Sequence, residues 1–202
     1  MGDMNRFPLT SSTSYSQVYR HGETVYASLE LNQVAFPKTG MVVSQLPLDN
    51  TFTAAAPCEN GMWVVADKAA GEISAPAAVD DALIGIVYTT EKEYDPYHYG
   101  LQTFGRKVAG DYPRVGLLGV GDTVTTNCLQ YDTSDFANDA ALDTALKAID
   151  TTPLYVGIAA GSAVPQILKA ADLPEAGIYA KIVKYYTMPN GEKGVKYQIV
   201  RI

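Results

Sequence analysis

A glycine turn that feeds a strand, then a short apolar strand interrupted by one glycine, occurs twice in this chain. No other feature constrains the fold as much. Gly61-Met62-Trp63-Val64 opens an apolar run, Ala70-Gly71-Glu72 turns it, and Leu83-Ile84-Gly85-Ile86 brings it back. Gly121-Asp122-Thr123-Val124 opens the second copy, and Tyr155-Val156-Gly157-Ile158 closes it after an insertion. Short apolar runs bounded by turn residues read as strands, and a glycine within one marks a bulge or a close backbone approach. The pattern predicts a mainly β protein made of small β-barrel or β-roll units.

Two further elements are legible. Residues 136–150 predict one inserted α-helix. Leu142, Ala145, Leu146 and Ile149 form a single apolar stripe, Ser134 or Asn138 serves as cap, Asp139 suits the positive end, and Thr151-Thr152-Pro153 stops it. Inside a β unit, such a helix reads as a lid on the open end of a barrel. Residues 178–186 and 195–202 are rich in Ile, Val and Tyr and predict a C-terminal β-hairpin, with Pro189-Asn190-Gly191 supplying the turn. Period-two alternation over 24–31 predicts a further strand. The chain thus divides into an extended arm over 1–20, a first β unit with a tyrosine-rich loop over 21–112, and a second β unit with the helix and hairpin over 113–202. The two units are also compatible with one compact domain.

Composition narrows the function. Of 202 residues 47% are hydrophobic, enough for a sizeable core. A net charge of −7 argues against duplex nucleic acid and anionic membranes as partners. No apolar stretch approaches the ~20 residues of a membrane span, and Met1-Gly2-Asp3-Met4-Asn5-Arg6 lacks the apolar core of a secretory signal. Folding in the cytosol is the expectation. Cys58 and Cys128 are too few for a disulfide scaffold and read as buried thiols, with pairing left open.

Little chemistry is offered. Phosphate loops, dinucleotide fingerprints and nucleophile elbows do not occur. His21 reads as a surface-turn residue. Beside His98, the carboxylates Glu91, Glu93 and Asp95 would share a face if extended, a weak candidate for Ca²⁺, against the alternative of a solvated loop. Asp111, Asp122 and Asp132 near turns are candidates for a dispersed acid pair, against the alternative of turn capping. No cofactor and no enzymatic activity are expected. Tyrosine is the unusual count, at fourteen. Tyr94, Tyr97, Tyr99 and Tyr112 form a candidate contact surface, because tyrosine buries area while keeping a hydrogen bond.

The first copy of the pattern also resembles a known family. Gly61-Met62-Trp63-Val64-Val65-Ala66-Asp67, Ala70-Gly71-Glu72-Ile73 and Ala82-Leu83-Ile84-Gly85-Ile86-Val87 are similar to the small β unit of tailed-bacteriophage capsid decoration (cement, auxiliary head) proteins. There a glycine, two residues and a valine open a strand that turns into an alanine-x-x-glycine-[Ile/Val] return. The second copy matches weakly, and the helical insertion and segment 89–112 depart from the pattern. The resemblance implies a virion structural protein on the outer capsid surface, with the major capsid protein as partner. It also implies a homo-oligomer, trimer favoured, assembled in the host bacterial cytoplasm. On that reading Arg6, Phe7, Leu9, Tyr15 and Tyr19 of the arm contact the shell by strand addition. The alternative is a head-fibre, tail or host-attachment module that binds glycans through the tyrosines of 94–112.

Overall fold

A computed structural model describes residues 4–7, 29, 34, 40–79, 81, 83–89, 108–189 and 191–202. They form a mainly β fold of two sheets and one α-helix, with no sheet closed into a barrel among the described residues. The strands are β1 (Met4–Arg6), β2 (Val42–Val43), β3 (Trp63–Asp67), β4 (Glu72–Ser74), β5 (Ile84–Val87), β6 (Val115–Leu117), β7 (Thr123–Thr126), β8 (Gln130–Asp132), β9 (Leu154–Ala159), β10 (Ser162–Lys169), β11 (Tyr179–Thr187) and β12 (Lys193–Arg201). One sheet runs β2-β6-β5-β3-β4 and is antiparallel throughout. The other runs β1-β8-β10-β9-β11-β12-β7, with β8 and β10 its parallel pair. Of the strand expected over 24–31, only Leu29 lies among the described residues. It is fully buried and bridges Thr126.

The five-stranded sheet is covered on both faces, which explains its near-continuous apolar strands. Trp63, Ile84 and Ile86 face the core shared with Val124, Val195 and Tyr197 of the larger sheet. Val64, Ala66, Val87 and Val115 face a second core with Leu46, Phe52, Cys58 and Cys128. Strand alternation sends Trp63 one way and Val64 the other, so both must be apolar. Across the first core the Trp63 indole Nε1–H donates to the Tyr197 hydroxyl at 2.9 Å, the two rings edge-on at 5.9 Å.

The glycines of the repeated pattern have steric reasons. Gly61 and Gly121 lead into β3 and β7 with φ +92° and +99°, the left-handed region where side chains are strained. A Cβ on Gly85 would lie 2.4 Å from Val115 Cγ1, and one on Gly157 would lie 2.7 Å from Leu168 Cδ1. The glycines therefore mark close approach between neighbouring strands. The two copies nonetheless fold differently. In the first, β3 and β5 pair directly. In the second, β7 and β9 are separated by β11 and β12. The pattern sets a turn and a strand locally, and the nine-residue strands of the C-terminal hairpin take the intervening places. A β-roll used twice is thus corrected to two unlike sheets. They exchange between Leu117 and Thr123, since β6 joins β5 in the smaller sheet and β7 joins β12 in the larger.

Helix α1 (Asp139–Lys147) is shorter at both ends than 136–150. Asn138 caps it, its side-chain oxygen accepting from the Ala141 N–H at 2.9 Å, and Asp139 stands in the first turn. Leu142 and Leu146 enter the first core, so the helix covers an open flank of the layered sheets rather than a barrel mouth. The C-terminal hairpin is β11 and β12, closed by the Met188 N–H donating to the Glu192 carbonyl at 2.7 Å. Among the described residues no helix is long and apolar enough to cross a membrane.

Tyr197→Phe leaves the Trp63 N–H buried without its acceptor, so denaturant unfolding should show a loss of about 1–3 kcal/mol. Burial also drives the Tyr197 phenol above its ordinary value, and burial with the Asp143 contact does the same for Tyr185. A raised folded value gives stability that is complete below the unfolded value, about 10, and lost as pH rises past it. Stability should therefore fall above pH about 10, less steeply in the Tyr197→Phe variant.

Candidate functional site

The N-terminal strand builds one wall of a cavity between the sheets. β1 adds to the edge of the larger sheet through β8, pairing Met4 with Asp132, Asn5 with Tyr131 and Arg6 with Gln130. The Phe7 N–H then donates to the Leu129 carbonyl at 2.8 Å. Alternation sends Asn5 and Phe7 to one face and Arg6 to the other. The Phe7 ring is 1% exposed and meets Tyr185 edge-on at 6.4 Å. Phe7, expected as a shell contact, is therefore corrected to a core residue. Its apolar ring gains more from the chain's own interior than from an exposed arm.

Arg6 points into a cavity of about 520 Å³ where the two sheets meet. Its walls are mostly apolar, with Phe52, Met62, Pro76, Ala163 and Val164 prominent. The guanidinium lies 3.3 Å from the Glu59 carboxylate, whose side chain is only 9% exposed. Glu59 is the participant that the sequence did not reveal. It stands 53 residues away, and its only local signal is a polar Glu59-Asn60 step beside the buried Cys58. Gln130 backs the same wall, its amide donating to the Ser162 hydroxyl at 3.1 Å and to the Val164 carbonyl at 2.7 Å.

Neither thiol near this wall is activated. Cys58 and Cys128 are both free and buried. Burial pushes Cys128 up to about 12 against the pull of Arg6, and burial with the neighbouring Cys128 and Glu59 raises Cys58 well above the ordinary thiol value. A nucleophilic cysteine needs the opposite shift.

The candidate acids are structural. The carboxylate of Asp111 accepts from the Val108 N–H at 2.9 Å and that of Asp122 from the Gly119 N–H at 2.6 Å. Asp132 accepts from the N–H and the hydroxyl of Ser134 at 2.8 and 2.7 Å. Each carboxylate closes its own turn, the capping arrangement. Of the remaining expected site residues, Tyr112 is 61% exposed. Leu9, Tyr15, Tyr19, Glu91, Glu93, Tyr94, Asp95, Tyr97, His98 and Tyr99 lie outside the described residues. Among those described, no group of three His, Cys, Asp or Glu side chains is placed to hold a metal ion.

The cavity can hold an apolar side chain beside a self-neutralised ion pair. Comparison with protein-family models, with curated proteins and with solved structures found no match to this chain.

Phe7→Ala should lower unfolding stability by about 3–5 kcal/mol, the cost of emptying a buried aromatic site. Both thiols should stay unlabelled by an aromatic disulfide reagent in the folded chain through pH about 8–9, where free cysteine ionises, and react at once in denaturant.

Proposed function

We propose that this chain is a virion structural protein that binds the outer surface of a tailed-phage capsid and holds neighbouring shell subunits together. The observation that carries the reading is how the described ionisable groups are used. In the cavity Arg6 and Glu59 satisfy one another, the acids cap turns, and the thiols are buried and raised. Such a molecule acts by adhesion. The likeness of residues 61–87 to the decoration-protein β unit supports the same role and names the major capsid protein as partner. Many copies on one lattice make modest single-site affinity effective. A trimer on the virion surface, assembled in the bacterial cytoplasm, without catalysis or nucleic-acid binding, is the arrangement this reading carries. The exposed Tyr112 favours a second reading, a head-fibre, tail or host-attachment module that stacks a sugar on its tyrosines.

The arm can be tested without harming the fold, because Phe7 is left in place. Purified protein is incubated with empty tailed-phage shells built of a major capsid protein, and the particles are reconstructed. The chain should occupy regular sites. A triple Leu9→Ala, Tyr15→Ala, Tyr19→Ala variant should keep its melting midpoint and bind at least about tenfold more weakly, as expected when aromatic anchors are lost. No occupancy by the unmodified chain would sink the decoration reading. Glycan binding lost on Tyr112→Ala would favour the second.

A further inference from the structure

The positive charge of this acidic chain is concentrated in its C-terminal hairpin. Residues 179–202 hold Lys181, Lys184, Lys193, Lys196 and Arg201 against the single acid Glu192, a net of +4. Residues 40–89, which supply four of the five strands of the smaller sheet, hold Asp49, Glu59, Asp67, Glu72, Asp80 and Asp81 against Lys68, a net of −5. Ala180, Ile182, Tyr197 and Ile199 turn inward to the core shared with Trp63. Lys181 and Lys196 alternate with them and so stand on the face turned away from the smaller sheet, and a bulge between Ile182 and Lys184 brings Lys184 to that face as the partner of Lys196. One outer face is basic, and the layer on the opposite side is acidic.

Each layer also carries a like-charge pair set directly across a ladder. Lys184 is the cross-strand partner of Lys196 between β11 and β12. Asp67 is the partner of Glu72 between β3 and β4, at the edge of the smaller sheet. Like charges directly opposite destabilise a sheet. No positive side chain answers either pair: none of Lys181, Lys184, Lys196 and Glu72 forms an ion pair with a described residue, and the Asp67 carboxylate accepts only from the Ala69 and Ala70 N–H groups of its own turn, at 2.7 and 3.1 Å. Lys184 instead lies over the Tyr186 ring at 4.9 Å, and Val183 and Val200 are exposed beside it at 46% and 41%. The face therefore combines unpaired positive charge with exposed apolar surface, and a surface of opposite charge is its complement.

We propose that the occupant of this face is a second copy of the same chain, with the Lys184–Lys196 pair of one protomer against the Asp67–Glu72 hairpin of the next. The partner of matching charge is then present at equal copy number, and each unfavourable pair becomes favourable on contact. The two surfaces differ, so the interface is heterologous. It generates a ring where the rotation closes and an open stack where it does not. A nucleic acid fits less well, since the remainder of the chain is net −11 and would repel it. The inference stands whether or not the protein works on a capsid.

The test is molar mass by light scattering at rising salt, together with paired charge variants. From about 0.01 M to about 1 M salt the screening length falls from about 30 Å to about 3 Å. The unmodified chain should associate at the low end, and its dissociation constant should rise at least about tenfold towards the high end. The double variant Lys184→Glu, Lys196→Glu should be monomeric at both ends with an unchanged melting midpoint, and Lys184→Gln, Lys196→Gln should fall between. Mixing the double glutamate variant with Glu72→Lys should restore association. A chain monomeric at low salt overturns the proposal, and so does association that survives high salt or the double glutamate variant.

Discussion

The contact between Trp63 and Tyr197 ties the two sheets together across their shared core. The Trp63 indole donates to the Tyr197 hydroxyl, and the two rings meet edge-on, both essentially buried. An aromatic pair of this kind contributes about 0.5–1.5 kcal/mol beyond its buried area, and the hydrogen bond removes two polar groups that would otherwise be costly inside. More important is what the contact excludes. A slip of one residue in β3 would replace the Trp63 donor by Met62 or Val64, and a slip in β12 would put Lys196 or Gln198 into the core in place of Tyr197.

That registration explains the middle position of the smaller sheet. With Trp63, Ile84 and Ile86 committed to one core, Val64, Ala66 and Val87 must find a second, and segment 46–62 supplies it. Sheets covered on both faces need strands that lie close, so Gly85 has no room for a Cβ. The same closeness desolvates Cys58 and Cys128 and makes them packing residues. Among the described residues, the acids Asp111, Asp122 and Asp132 cap turns, and Glu59, Asp143 and Asp135 pair with Arg6, Lys147 and Lys169. The surfaces left over, a basic sheet face and an acidic edge hairpin, suit adhesion.

Much of the local structure was legible. The cap at Asn138, the stripe of Leu142 and Leu146 and the stop at Thr151-Thr152 placed the helix, because each acts within a turn or two. The turn after Met188 and the β-rich flanks placed the hairpin for the same reason. The capping role of Asp111, Asp122 and Asp132 was readable because an aspartate and its turn are contiguous. Phe7 was misread as a contact because its polar neighbours resemble a terminus, and nothing near it in sequence signals the Tyr185 ring it meets. The second copy of the glycine pattern was misread as a second unit, because a strand's neighbour is not encoded within the strand.

By itself, then, the sequence determined where the chain turns, which stretches extend, that a helix with its Leu142 and Leu146 stripe lies within 136–150, and that reactive motifs are scarce. Those follow from turn chemistry and periodicity acting over a few residues. Only the tertiary structure decided which sheet each strand joins, that Arg6 meets Glu59 across a cavity, and that two lysines and two carboxylates stand as opposed pairs on separate layers. These depend on burial summed over contacts distant in the chain, and burial selects among strands that are locally equivalent.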